Sequence, residues 1–398
     1  MKKLIAISMM IALVAGAAFA QANIGFTLDT RFSIAGSTAE GNKPQIGGSI
    51  ADAYLEASGE NDDGTLGGLV RLAANGQVGG TTGSTNTPAE GVGHSHSFAT
   101  QVQFHRAFIW WKPIDQLKIF LGKEKNGLYS TGDPLTDWAF HQGAENYLNF
   151  HEWGYWRSVF PGNWDTFGLA FEIYPIEGLN INLVIPTGTS DWPNDVDGRT
   201  LAVEDLIYNL QLQVNYNIAG IGTVYVSYMG QGKSDYTDGN FGASFLLDGP
   251  VEGLKAQVGV STGLYKGGAE GPLLIGLAAH YASGDFGVKF RSAFEIGYAT
   301  GNAAQSTFGG YGGPIKGMGI QFNVMPWYNL GVLEARVDFG LRMVMPTVGD
   351  QRMAWHLNPY ARVPIPGGRF QFGFKVAGND TPNSIINWSI PMGLVFGF

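Results

Sequence analysis

The chain has 398 residues, among them 59 glycines, 13% aromatics and no cysteine, and its mean hydropathy is +0.00. A formal charge of −9 argues against nucleic-acid binding, which calls for a basic surface. The lack of cysteine excludes a disulfide scaffold and a thiolate metal site.

At the N-terminus, Lys2 and Lys3 precede an apolar run, Leu4 to Val14, and small residues ending Ala18-Phe19-Ala20. That order predicts a secretory signal peptide, residues 1–20, cleaved after Ala20 with Ala22 as the alternative. The run is too short and wrongly flanked for a retained anchor, and no cysteine follows it to make a lipoprotein signal. Its removal takes two of the 24 basic residues, leaving 22 against 33 acidic and a net charge of −11. Beyond it, no stretch approaches the roughly 18 apolar residues of a spanning helix.

Period-two patterning predicts strands at about 23–33, 48–57, 65–76, 97–111, 116–124, 165–174, 179–186, 205–218 and 221–231. It continues at about 240–248, 254–263, 272–282, 286–299, 315–325, 330–344, 354–363, 369–377 and 385–398. Three segments alternate most clearly. Leu206, Tyr208, Leu210, Leu212, Val214, Tyr216 and Ile218 interleave with Asn209, Gln211, Gln213, Asn215 and Asn217. Phe286, Val288, Phe290, Phe294, Ile296 and Tyr298 interleave with Lys289, Arg291 and Glu295. Leu333, Ala335, Val337, Phe339, Leu341 and Met343 interleave with Glu334, Arg336, Asp338 and Arg342. Strands this long suit a tilted membrane crossing better than an ordinary soluble sheet.

The connections alternate in length. Short ones fall at 112–115, 174–178, 219–220, 248–253, 283–285, 326–329 and 364–368, and long ones at 34–47, 77–96, 125–164, 187–204 and 300–314. Short periplasmic turns with long external loops are the habit of outer-membrane barrels, and a periplasmic N-terminus puts every short connection on one side. The fold expected is all-β: one transmembrane, antiparallel up-and-down barrel over 21–398. It has about 18 strands, or 16 if one pair is wrongly split.

Three short turns repeat a motif: Pro-Ile-Asp-Gln-Leu-Lys, Pro-Ile-Glu-Gly-Leu-Asn and Pro-Val-Glu-Gly-Leu-Lys, a hairpin signal. Trp110, Trp111, Tyr174, Tyr216, Trp327 and Tyr328 gather near such turns, as an interfacial girdle does. One residue fits badly: Arg106 falls on the apparent apolar face of strand 97–111, so a β-bulge or a wrong register is expected there.

The last stretch, Ile386 to Phe398, has apolar residues at every even position (Ile386, Trp388, Ile390, Met392, Leu394, Phe396, Phe398) and small or polar ones at most odd positions. So apolar a strand at a chain end needs lipid on one face and a partner strand at its edge. It resembles the C-terminal strand of bacterial outer-membrane β-barrels, which typically ends in Phe and is read by the barrel-assembly machinery. By that resemblance Phe398 is the assembly signal.

A barrel of this size leaves a water-filled lumen. The inward positions of the C-terminal strands carry Lys289, Arg291, Arg336, Arg342, Arg362, Arg369 and Lys375, against Glu295, Glu334 and Asp338. The longest connection, 125–164, holds the acids Asp133, Asp137, Glu145 and Glu152 and the aromatics Trp138, Phe140, Tyr147, Trp153, Tyr155 and Trp156. Loops of such length are usually functional.

The whole arrangement resembles an outer-membrane porin, at the level of architecture rather than of a sequence signature. In that family the third external loop commonly folds into the lumen and its acids face a basic wall. The resemblance implies a constriction of Asp133, Asp137, Glu145 and Glu152 against Arg291, Arg336, Arg342, Arg362 and Arg369. Charged rings select ions by sign. The plainer reading is that these arginines solvate the lumen and pair with nearby acids. The loop aromatics either form a track for solutes or pack the loop against itself. Porins are often homotrimers, and the resemblance admits that state here.

Catalysis finds little support. His94-Ser95-His96-Ser97 is the only histidine cluster, and Gly79 to Gly93 before it reads as an external loop. Outer-membrane phospholipases place a His two residues before the nucleophilic Ser, whereas here each His is followed immediately by Ser. Gly259-Val260-Ser261-Thr262-Gly263 lies within the strand expected at 254–263, so it makes no Gly-x-Ser-x-Gly elbow, and no phosphate-binding glycine loop occurs. The expected function is passive diffusion of small hydrophilic solutes or ions through an outer-membrane channel, without cofactor, metal or catalytic residue. Its partners are the lipid bilayer, the assembly machinery and small solutes, and the basic wall points to a weak preference for anions. The alternatives are an uptake barrel for hydrophobic compounds, disfavoured because a first strand at Ile24 leaves no plug, and a surface barrel with adhesive or enzymatic loops.

Overall fold

A computed structural model describes residues 21–38, 43–78, 101–124, 166–186, 210–230, 237–265, 273–300, 314–379 and 386–397. The first strands are β1 (Gln21–Ser37), β2 (Gln45–Glu60), β3 (Leu66–Val78), β4 (Gln101–Ile114), β5 (Leu117–Glu124), β6 (Thr166–Ile176) and β7 (Leu179–Pro186). There follow β8 (Gln211–Ile218), β9 (Gly222–Gly230), β10 (Thr237–Asp248), β11 (Leu254–Tyr265), β12 (Leu273–Ser283) and β13 (Phe286–Thr300). The last are β14 (Pro314–Asn329), β15 (Glu334–Pro346), β16 (Arg352–Ile365), β17 (Gly368–Gly373), β18 (Lys375–Asn379) and β19 (Asn387–Gly397).

Sequential neighbours pair antiparallel, and β19 returns to β1 with Ile34 opposite Ile390 and Thr27 opposite Gly397. The sheet is therefore a closed barrel without an edge, the form a strand needs in lipid, where no water satisfies its backbone. Segments β17 and β18 are two halves of one wall strand. Phe374 N still donates to Pro359 O at 2.9 Å, and Gln371 opposite Gly393 keeps the same register as Lys375 opposite Ser389. Nineteen segments thus make eighteen wall strands, the number expected from the alternation of short and long connections.

Burial is inverted relative to a water-soluble protein. Val258 and Phe294 on the outer face are 49% and 39% exposed, whereas Gln257 and Lys375 on the inner face are 1% and 3% exposed. A soluble protein buries its valines and phenylalanines; here they form the outer belt, and amides and charges line the inside. The barrel spans a membrane.

Two short turns explain their glycines. Gly178 and Gly253 adopt φ of +79° and +75°, and a Cβ at Gly253 would lie 2.0 Å from Ala282 O. Conformation and space both demand glycine there. The repeated Pro-Ile and Pro-Val pairs only lead into these turns: Pro113 and Pro175 still belong to β4 and β6, and the reversals sit at 115–116 and 177–178. On the long-loop side, β1 runs to Ser37 and β2 starts at Gln45, so the connection predicted at 34–47 is shorter than expected.

The misfit at Arg106 resolves as a bulge. Arg71 faces Arg106, but the next pair is Leu72 with Phe104, so one extra β4 residue shifts the alternation. Arg106, Phe108 and Trp110 point inward, while Ile109 and Trp111 are outside, 56% and 54% exposed. The girdle is corrected in the same way. Trp111, Tyr216 and Tyr328 are on the outer surface, whereas Trp110 and Trp327 lie inside and the Tyr174 hydroxyl turns back to the inward Glu172 at 2.9 Å.

Candidate functional site

The inner wall divides into three sectors. The first, on β13 to β18, is basic. Lys289, Arg291, Arg336, Arg362, Arg369 and Lys375 all stand on inward positions, as their alternation with apolar residues predicts. Arg342 takes the same face by register, opposite Gln321 and Ala354. These seven residues all lie between 289 and 375, and the antiparallel register of consecutive strands assembles them.

The acids of this sector are engaged. Glu334 accepts a bond from Arg336 Nε, and its Oε1 lies 3.9 Å from Arg362 Nη1. Asp338 is nearly enclosed: Oδ2 is 3.0 Å from His356 Nε2, and Oδ1 accepts from Asn323 Nδ2 at 2.5 Å. The Asn323 amide also donates to Phe339 O at 3.0 Å. Gly340 makes room, since a Cβ there would come 2.3 Å from the His356 ring. Beside this network Tyr360 donates to the Met325 sulfur at 3.3 Å. Near the short turn between β16 and β17, Nε and Nη2 of Arg362 and Nε of Arg369 are shielded from solvent, with no hydrogen-bond partner among the described residues. Such donors are costly to leave unmet, and anionic oxygens are the partners that suit them.

The second sector, on β7 to β11, is neutral and polar. Asn182, Gln211, Gln213, Asn215, Ser227, Ser244, Gln257 and Ser261 pack side by side, with Gln257 Nε2 donating to Ser244 Oγ at 3.2 Å. The third, on β3 to β7, is aromatic and apolar. Phe120, Ala170 and Val184 form a buried cluster with Phe108 and Trp110 against it. Lys118 Nζ stands 4.1 Å from the Trp110 ring centroid and 4.9 Å from that of Phe120. Arg71 bridges to Glu56 at 2.5 Å beside this sector.

Sequence reasoning located the basic sector and missed the aromatic one. Its signal was present: Arg106, Phe108 and Trp110 share a parity in the sequence, and the charge among them marks an inward face. The Asp338–His356–Asn323 network was also missed, because its members meet only across strands. The acids Asp133, Asp137, Glu145 and Glu152, the aromatics Trp138, Tyr147, Trp153 and Trp156, the His94–Ser97 cluster, the signal segment 1–20 and Phe398 lie outside the described residues.

No protein-family model matches the chain, and neither does any curated protein sequence. Solved structures do match along the whole barrel. OccK11 (OpdR) of Pseudomonas aeruginosa is 11% identical with a TM-score of 0.58, and the match covers 96% of each chain. OccAB4 of Acinetobacter baumannii is 10% identical with a TM-score of 0.59, covering 94% of this chain and 98% of that one. OpdK of P. aeruginosa, solved with vanillate, is 12% identical with a TM-score of 0.58, covering 96% of this chain and all of that one (100%). OpdK is an outer membrane protein. At these identities the likeness is one of fold: a closed antiparallel β-barrel.

Proposed function

We propose that the chain is an outer-membrane diffusion channel that passes small hydrophilic solutes and ions, with a preference for anions. The observation that carries this reading is the basic inner sector of β13 to β18, whose acids Glu334 and Asp338 are already bound by Arg336, His356 and Asn323. Eighteen strands enclose more space than side chains fill, and a wall lined with fixed positive charge concentrates and orients anions. Vanillate, held by OpdK, is a small organic anion, the class of solute that such a wall suits. The neutral amide sector offers hydrogen bonds to the hydroxylated part of a solute, and the aromatic sector offers a dry surface.

The finer parts of this reading concern residues 1–20, 125–164 and 398. Residues 1–20 export the chain and are removed. The acids Asp133, Asp137, Glu145 and Glu152 narrow the lumen opposite the basic wall, and Phe398 presents the last strand to the barrel-assembly machinery. No catalytic step, cofactor or metal enters the mechanism: the solute moves down its own gradient. Planar-bilayer recording of the refolded mature chain under a salt gradient tests the proposal. Stepwise ohmic currents with an anion-side reversal potential are expected. An inserted barrel that carries no current would refute it.

A further inference from the structure

Two tryptophans on opposite sides of the wall carry the same device. Trp327 of β14 lies flat across Gly287 of β13, where a Cβ would fall 1.9 Å from its ring. Trp110 of β4 lies across Gly67 of β3, where a Cβ would fall 2.5 Å from its ring. Glycine lets each ring settle on the backbone of the neighbouring strand. Each ring then holds a cation. Arg336 Cζ is 5.2 Å from the Trp327 centroid, and Lys118 Nζ is 4.1 Å from the Trp110 centroid. A second ring stands by on each wall: His280, 5.4 Å from Trp327, and Phe120, 4.9 Å from the Lys118 amine.

Each cation also has a carboxylate beside it. Glu334 accepts from Arg336, and Glu172 stands directly across from Lys118. Both groups sit near the short-turn ends of their strands, beside the reversals at 115–116 and 330–333. Around the circuit β4 and β14 are ten strands apart in one direction and eight in the other, so the two walls face each other.

We propose that Trp110 and Trp327 are positioning residues for ion selectivity, holding Lys118 and Arg336 as fixed positive charges on facing walls of the periplasmic exit. The inference rests on the channel reading above. A long cation beside a carboxylate has two resting places. Lys118 rests on its ring faces, where the attraction comes from a quadrupole and leaves the charge uncancelled, whereas Arg336 binds Glu334 through Nε and keeps the rest of its guanidinium on the Trp327 face. A ring contact at a partly exposed site biases the cation's position about two- to fivefold. The field at narrow points sets which ions pass. A tryptophan placed only to fill space needs no cation on its face, yet both rings have one.

The test is reversal potential in a KCl gradient, with single-channel conductance and heat-modifiable gel migration as controls for an intact barrel. Trp327→Leu and, independently, Trp110→Leu are expected to lower the chloride-to-potassium permeability ratio about two- to fivefold. Gly287→Ala removes no charge and no ring, but it pushes Trp327 off its seat, and it is expected to lower the ratio in the same direction. Trp327→Phe retains a ring and keeps most of the ratio. Folded Leu variants with the wild-type ratio would overturn the proposal, as would a Phe variant that loses as much as Leu. A wild-type barrel with no conductance would instead overturn the channel reading.

Discussion

Glu334 is shared between two arginines: its carboxylate accepts from Arg336 Nε, and Oε1 stands 3.9 Å from Arg362 Nη1. One negative charge therefore offsets two positive ones where the basic wall nears the short turns, and the local balance stays positive. Glu334→Gln removes that offset and keeps the shape. The variant is expected to shift the reversal potential further toward the chloride side with little change in conductance. An unchanged potential would mean that these arginines do not face the permeation path.

The Asp338 network is structural. Removing the carboxylate strands the imidazole of His356 and the amide of Asn323 in a nearly enclosed place. Leaving such groups unsatisfied costs about 1–3 kcal/mol. Asp338→Ala is expected to destabilise the barrel by that order, read from the urea midpoint of unfolding in lipid vesicles, while the reversal potential moves little.

The outer belt makes a separate prediction. Val258 faces lipid in the middle of β11, and arginine at a mid-depth lipid-facing site costs ~2–4 kcal/mol. Val258→Arg is expected to lower refolding yield into vesicles sharply. Normal yield would place that face away from the hydrocarbon.

Residues 125–164 are proposed to narrow the lumen. Deleting 133–156 is therefore expected to raise single-channel conductance and to weaken selectivity. Equal conductance would assign the constriction to another segment.

Much of this was legible in the sequence because membrane barrels write their two faces in alternation. On β13 and β15 the inner residues are charged and the outer ones apolar, so Lys289, Arg291 and Arg336 could be placed from parity alone. The same rule failed on β4, where the inner face is itself aromatic. Phe108 and Trp110 look like lipid-facing residues until the bulge beside Arg106 is known. Trp327 escaped for a related reason: a tryptophan next to a turn reads as girdle, and only the glycine beneath it on the adjacent strand shows that it points inward. Contacts such as Asp338 with His356 depend on the exact cross-strand register, which periodicity does not supply.

The central claim is an open, anion-preferring pore, and single-channel recording under a salt gradient tests it most directly. The wild-type chain is expected to give stepwise ohmic currents and a reversal potential on the chloride side, and neutralising Arg291, Arg362 and Arg369 together should carry that potential toward the potassium side. A fully inserted barrel that conducts nothing would contradict the account, as would a potential indifferent to those three arginines.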